Sequence, residues 1–113
     1  MKILVLNGPN LNMLGMREKD IYGSETLDDI KMKLEDRAKD LDCYISFYQS
    51  NAEHELIDAI HSALKNGIDA IIFNPAGYTH TSVALRDAIL AVKIPVSYTH
   101  LRAHETRGNL VCR

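Results

Sequence analysis

Apolar residues fall into two alternating rhythms along this chain. Short unbroken runs are separated by longer stretches in which they recur every three or four positions. Lys2–Gly8 carries Ile3-Leu4-Val5-Leu6, ends in Gly-Pro and predicts a buried strand. Residues 9–23 follow as a long loop with Gly15 and Gly23 as candidate hinges. Thr26 is placed as an N-cap with Asp28 and Asp29 in the first turn, and Leu27, Ile30, Leu34, Ala38 and Leu41 then keep helical spacing. Residues 44–49 predict a second strand, and Ser50-Asn51-Ala52-Glu53 fits a capping box for the next helix. Leu56, Ile57, Ile60, Ala63 and Leu64 supply that helix's apolar face, and Gly67 ends it.

Ala70–Phe73 is apolar throughout, as a parallel strand covered on both faces should be. Asn74–Ser82 reads as a polar loop, Val83–Val92 as a helix, and Ile94-Pro95-Val96 opens a fourth strand. The order β-α-β-α-β-α-β predicts a parallel sheet with right-handed crossovers.

Composition adds bounds. A chain of 113 residues is one domain by prior, and a domain of that size buries only about 60–70% of its unfolded surface, so oligomerisation would help it. A net charge of −2 carries no nucleic-acid or anionic-membrane footprint. No run approaches the ~20 apolar residues of a membrane span, and the four-residue apolar run near Met1 is too short for a signal peptide. Cys43 and Cys112 show neither metal nor disulfide spacing, which suits a reducing cytoplasm. His54-Glu55-Leu56-Ile57-Asp58 lacks the second histidine of a zinc-protease helix, so His54 and His61 read as solvent-facing. Gly8-Pro9-Asn10-Leu11 is no dinucleotide fingerprint, and there is no phosphate-loop motif.

In open parallel sheets ligands bind beyond the carboxyl ends of the strands. Two polar loops emerge there. The first carries Asn10, Asn12, Arg17 and Tyr22, and the second Asn74, Tyr78, Thr79, His80, Thr81 and Ser82. Arg17 and His80 suit a carboxylate ligand. Each residue has a plainer reading beside this one. Asn10 and Asn12 satisfy turn geometry, Arg17 is a solvated loop charge, and Tyr22 packs with a wet hydroxyl. His80 is a helix-cap neighbour, and Arg86 and Asp87 are an exposed helix face. Spacing alone reaches only to a ligand site formed by two loops.

Three ordered blocks carry a resemblance. Asn7-Gly8-Pro9-Asn10-Leu11-Asn12, with Leu14-Gly15-Met16-Arg17-Glu18 and Tyr22-Gly23, is the first; Ser50-Asn51-Ala52-Glu53 is the second; Asn74-Pro75-Ala76-Gly77-Tyr78-Thr79-His80-Thr81-Ser82 through Asp87 is the third. Together they resemble the type II 3-dehydroquinate dehydratases over about residues 2–96. His54 stands where that family usually has glycine, and Ala76-Gly77 stands where it has Gly followed by Ala or Gly. The resemblance implies a flavodoxin-like, doubly wound parallel sheet in three α/β/α layers. It implies reversible elimination of water from 3-dehydroquinate through an enolate in aromatic amino-acid biosynthesis, with no metal and no cofactor. By position Tyr22 resembles the base, Arg17 its activator, and Asn10 the residue holding a water against the enolate. Asn74, Gly77, His80 and Asp87 resemble substrate-binding positions, with Asp87 acting across a subunit contact. The resemblance also implies a homo-oligomer, a dodecamer built as a tetramer of trimers.

From Ser97 the pattern departs. The family continues with Glu-Val-His-Leu-Ser-Asn, whereas this chain reads Ser97-Tyr98-Thr99-His100-Leu101-Arg102-Ala103. Counted without gaps, His100 falls on the proton-donor histidine and Leu101 also agrees; Tyr98 replaces the glutamate, and Arg107 falls on an arginine position in foreign context. Residues 97–113 hold three of the six arginines and one acid, Glu105, and resemble translated sequencing-adapter DNA joined to a broken gene. The expectation is therefore an incomplete core over 1–96, missing its C-terminal strand and helices, with a non-family tail in which the His100 match is accidental. Such a chain is expected to fold poorly and be nearly inactive. Two alternatives stand beside the enzyme: a non-catalytic flavodoxin-like module that holds a small anion, and an inactive truncation product.

Overall fold

The computed structural model describes residues 1–15, 25–78 and 82–99. Its elements are β1 (Lys2–Asn7), a 3-10 turn (Leu11–Met13), α1 (Leu27–Asp40), β2 (Tyr44–Gln49), α2 (Glu53–Lys65), β3 (Ala70–Asn74), a second 3-10 turn (Ala76–Tyr78), α3 (Val83–Val92) and β4 (Val96–Tyr98). The strands form one parallel sheet in the order β2-β1-β3-β4. This is the start of the flavodoxin-like order, with the chain reversal between β1 and β3.

Strand parity divides the core. Leu4 and Leu6 of β1 and Ile71 and Phe73 of β3 point to one face, where they pack against Leu56, Ile60 and Ala63 of α2 and Leu85, Ala88, Ile89 and Val92 of α3. Leu6, Leu56 and Ile60 are fully buried, and each such side chain contributes roughly 1.5–3 kcal/mol of hydrophobic stabilisation. Among the described residues, the opposite face receives only α1. There a groove of about 630 Å³ runs between α1 and the sheet, lined by Val5, Leu27, Ile30, Leu34, Phe47 and Ile72 among others. Ile72 is only half-buried, so β3 is not covered equally on both faces as its apolar run predicts. No described helix is long and apolar enough to cross a membrane.

Helix starts show where local sequence wins and where it loses. Thr26 caps α1 in a full capping box: the Asp29 backbone N–H donates to Thr26 Oγ1 (3.1 Å) and the Thr26 N–H to Asp29 Oδ2 (3.0 Å). The Thr26 backbone bond holds the Asp29 carboxyl below its usual range. The capping box predicted at Ser50–Glu53 does not form. The N-cap of α2 is Ala52, without a side-chain bond, so Glu53 is the first helical residue rather than the third. Ser50 Oγ instead accepts from the Ala52 N–H (2.9 Å) and donates to Glu55. That leaves the Glu53 carboxylate to accept from Ser82 Oγ, which in turn caps α3 by accepting from the Leu85 N–H (3.0 Å).

Leu41 and Leu64 also fall outside the core, at 59% and 60% exposed. Leu41 is the C-cap residue of α1, and α2 meets the sheet along the narrow 56/60/63 seam. Gly67, at φ 71°, follows the α2 C-cap as predicted. β4 runs through Ser97 and Tyr98, two residues into the segment expected to be foreign, and the Tyr98 ring lies 5.9 Å from that of Phe73.

The carboxyl ends of β1 and β3 are drawn together. The Gly8 N–H donates to the Asn74 carbonyl (2.8 Å). A Cβ on Gly8 would lie 2.4 Å from the Pro75 carbonyl oxygen, inside any tolerable contact with backbone. The chain after Pro75 then turns sharply, and Ala76 adopts φ 53°. An L-residue with a side chain pays about 1–2 kcal/mol in that region.

Two substitutions test this corner. Gly8→Ala forces the two loops apart and lowers stability by about 1–3 kcal/mol, read as a fall in the urea midpoint; an unchanged midpoint would refute the close approach. Ala76→Gly relieves the left-handed strain and raises stability by about 1 kcal/mol; a destabilised variant would show that Ala76 does not occupy that conformation.

Candidate active site

Three strand ends, not two, build the cluster at the carboxyl edge of the sheet. β1 delivers Asn7 and Gly8, β3 delivers Asn74, and β2 delivers Gln49, Ser50 and Asn51. The pairing Leu6↔Tyr48 and Asn7↔Gln49 on one side of β1, with Leu6↔Phe73 and Asn7↔Asn74 on the other, sets the three ends level. The Ser50 N–H donates to the Asn7 carbonyl (3.1 Å), carrying the alignment past the last strand residues.

Asn74 is 2% exposed. Its Oδ1 accepts from the Ala76 N–H (3.1 Å), which fixes the side-chain orientation. Its Nδ2 is buried and has no hydrogen-bond acceptor among the described residues. Leaving a buried donor unmade costs roughly 1–3 kcal/mol. Gly77 is exposed, is not in the left-handed region, and would meet nothing within 4 Å if it carried a Cβ. Its backbone is open to a ligand rather than demanded by packing.

Asn10 opens the first 3-10 turn at φ 68°, ψ −2°, without capping it through its side chain. The turn-geometry reading of Asn10 is thus realised in its backbone, because asparagine tolerates this region better than most residues. The Asn10 N–H donates to Asn51 Oδ1 (2.9 Å), and that oxygen also accepts from Gln49 Nε2 (3.1 Å). Gln49 Nε2 reaches the Gly8 carbonyl as well (3.1 Å), and Tyr78 Oη donates to the Asn51 carbonyl (3.3 Å).

Of the residues singled out from sequence, Asn10, Asn74 and Gly77 come to this edge. Asn12 is exposed beside it, and Ser82 is spent on capping α3. Asp87 is exposed on α3 between the exposed Val83 and Leu90, at i+4 and i+7 spacing from Val83. Arg86 is exposed and acts on Tyr98: burial pushes the Tyr98 phenol up, and the Arg86 charge partly opposes this. A neutral phenol therefore stands where the sequence pattern leads one to expect a carboxylate. Arg17, Tyr22, Thr79, His80, Thr81, His100, Leu101 and Cys112 lie outside the described residues. His54 and His61 are exposed. Sequence reasoning missed Gln49 and gave Asn51 a place in the second motif block but no role at the site. The available signal was that β2 must end at the same carboxyl edge as its parallel neighbours.

The comparisons agree with this geometry. The family model described as Dehydroquinase class II matches residues 1–110. The chain is 62% identical over 99 residues to a 3-dehydroquinate dehydratase of Hahella chejuensis, covering 88% of this chain and 67% of the relative. It is 60% identical over 100 residues to one from Idiomarina loihiensis, covering 88% and 66%. The crystal structure of a type II dehydroquinase from Butyrivibrio crossotus superposes with TM-score 0.86 at 46% identity, covering 88% of this chain and 70% of that one. The chain thus spans about two thirds of the length of the curated relatives it matches. Its sheet order, the paired loops at the β1 and β3 ends and these likenesses together show that the chain belongs to the class II dehydroquinase family.

Proposed function

We propose that this chain is built for the hydro-lyase reaction that takes 3-dehydroquinate to 3-dehydroshikimate in aromatic amino-acid biosynthesis. The observation that carries the reading lies at the sheet edge: Asn10 on a left-handed turn just past β1, and at the end of the adjacent β3 a buried Asn74 whose Nδ2 lacks an acceptor among the described residues. Two neutral amides at the ends of adjacent strands suit a polyhydroxylated ring, which offers both donors and acceptors.

The chemistry follows in order. Tyr22, as phenolate, takes the proton at C2 beside the C3 carbonyl, and the C–H electrons move onto the carbonyl oxygen as an enolate. Free tyrosine has a pKa of ~10 and is a poor base at neutral pH. The Arg17 guanidinium favours the phenolate and stays charged throughout. Asn10 steadies a water against the enolate oxygen, so the developing charge meets an oriented donor. Collapse of the enolate breaks the C1–O bond, and a general acid protonates the departing hydroxyl so that it leaves as water. His100 falls at that acid's position and Leu101 beside it. Asn74, Gly77 and His80 hold the substrate's oxygens.

Asp87 serves a neighbouring subunit. Its place between exposed Val83 and Leu90 on α3 supports a subunit contact there, within a dodecamer in the cytoplasm. Residues 1–96 form the family core, and the foreign segment begins at Ser97, with Ser97 and Tyr98 extending β4 through parallel backbone pairing that any sequence can supply. On that reading His100 is an accidental match and the acid step is crippled, while proton abstraction at C2 survives.

Tyr22→Phe decides between an enzyme and a binder. The variant should lose turnover and C2 proton exchange of 3-dehydroquinate with solvent by about 10²-fold or more, with affinity kept within several-fold. A parent chain that binds the ring but exchanges no C2 proton is a pure binding module. Near-native turnover by the parent would refute the accidental His100 match.

A further inference from the structure

We infer that Asn51 is a positioning residue, which holds Asn10 in its left-handed conformation and ties both ligand loops to the β2 end of the sheet. It takes its functional meaning from the dehydratase reading of the same edge, but the tether itself stands on geometry. Left-handed backbone at a residue other than glycine persists only where the surroundings over-determine it. At Asn10 the surroundings are specific: its N–H is held by Asn51 Oδ1 at 2.9 Å. The same oxygen accepts from Gln49 Nε2, which also binds the Gly8 carbonyl, so the side chains of Gln49 and Asn51 clasp the first loop on both sides of Pro9.

The Asn51 backbone carbonyl serves the other loop by accepting from Tyr78 Oη at 3.3 Å. One residue, from a third loop, thus bonds to both the Asn10 turn and the Asn74–Tyr78 turn. Its side chain acts only as an acceptor in these bonds. Aspartate, which also accepts at this position, should therefore replace it in the tether, and alanine should not. The backbone arm is independent of the side chain, so Tyr78→Phe should release the second loop while leaving Asn10 held.

Amide exchange at Asn10, followed by NMR on the whole chain, tests this without ligand. Asn51→Ala should speed Asn10 exchange about fivefold or more, the factor expected for one net hydrogen bond of ~1 kcal/mol. Asn51→Asp and Tyr78→Phe should each stay within about twofold of the parent. Equal exchange in Asn51→Ala and the parent overturns the inference. So does an Asn51→Asp variant that exchanges as fast as Asn51→Ala, because that pattern means general loosening rather than a lost acceptor. If Asn51→Ala does not fold, the aspartate and phenylalanine variants decide: fast Asn10 exchange in either overturns the tether, and slow exchange in both supports it. Titration with 3-dehydroquinate then separates the two readings. A parent that shows no shifts at Asn10 and Asn74 sinks the dehydratase reading, while the exchange comparison still decides the tether.

Discussion

Everything at the carboxyl edge depends on how closely two backbones approach between β1 and β3. The Gly8 N–H reaches the Asn74 carbonyl at 2.8 Å, and the space where a Cβ would sit is taken by the Pro75 carbonyl. Only glycine permits that approach. It brings the chain leaving β1 and the chain leaving β3 alongside each other just past the sheet, where strand order reverses and open parallel sheets bind their ligands. The left-handed turns at Asn10 and Ala76 follow, because each chain must veer away within a few residues of the contact.

The energetics of this edge differ from those of the core. Beneath α2 and α3, burial of Leu6, Phe73, Leu56 and Ile60 supplies non-directional stabilisation that tolerates small shifts. At the edge, directional hydrogen bonds among Asn7, Gly8, Gln49, Ser50, Asn51 and Asn74 hold backbone in conformations that packing alone would not select. The Glu53–Ser82 bond extends this network to the start of α3 and so fixes where the second loop ends. A polar network of this kind carries strain that the apolar core stabilises from below.

The groove beside α1 shows a different balance. Ile72 and Phe47 on that face are only partly covered, since among the described residues a single helix lies over it. β4 holds its place through pairing with β3 and through Tyr98 against Phe73, on the better-packed face. Backbone pairing is indifferent to side-chain identity, and β4 runs on through Ser97 and Tyr98, within the residues 1–110 that the family model matches.

Much of this was legible in the chain itself. The alternation of apolar runs with 3.6-residue stripes fixed the order of strands and helices, because burying one face of each element requires that spacing. Val83–Val92 and the Thr26 cap were readable from local residues alone, since a cap is a bond between neighbours. The three motif blocks carried the family. What the chain could not disclose are matters of distance between residues far apart in sequence. Ser50–Glu53 looks like a capping box, yet the helix starts later, and Glu53 turns instead to Ser82, 29 residues away. Leu64 has the right spacing for the core but lies outside the seam that α2 makes with the sheet. Asn51 joins Asn10 across 41 positions, and although it stands in the second motif block, nothing local marks that partner. Local sequence determined which elements form and in what order, because propensity, capping and periodicity act over a few residues. Only the tertiary structure decided which amides meet at the sheet edge, because parallel pairing brings together chain segments that share no sequence signal.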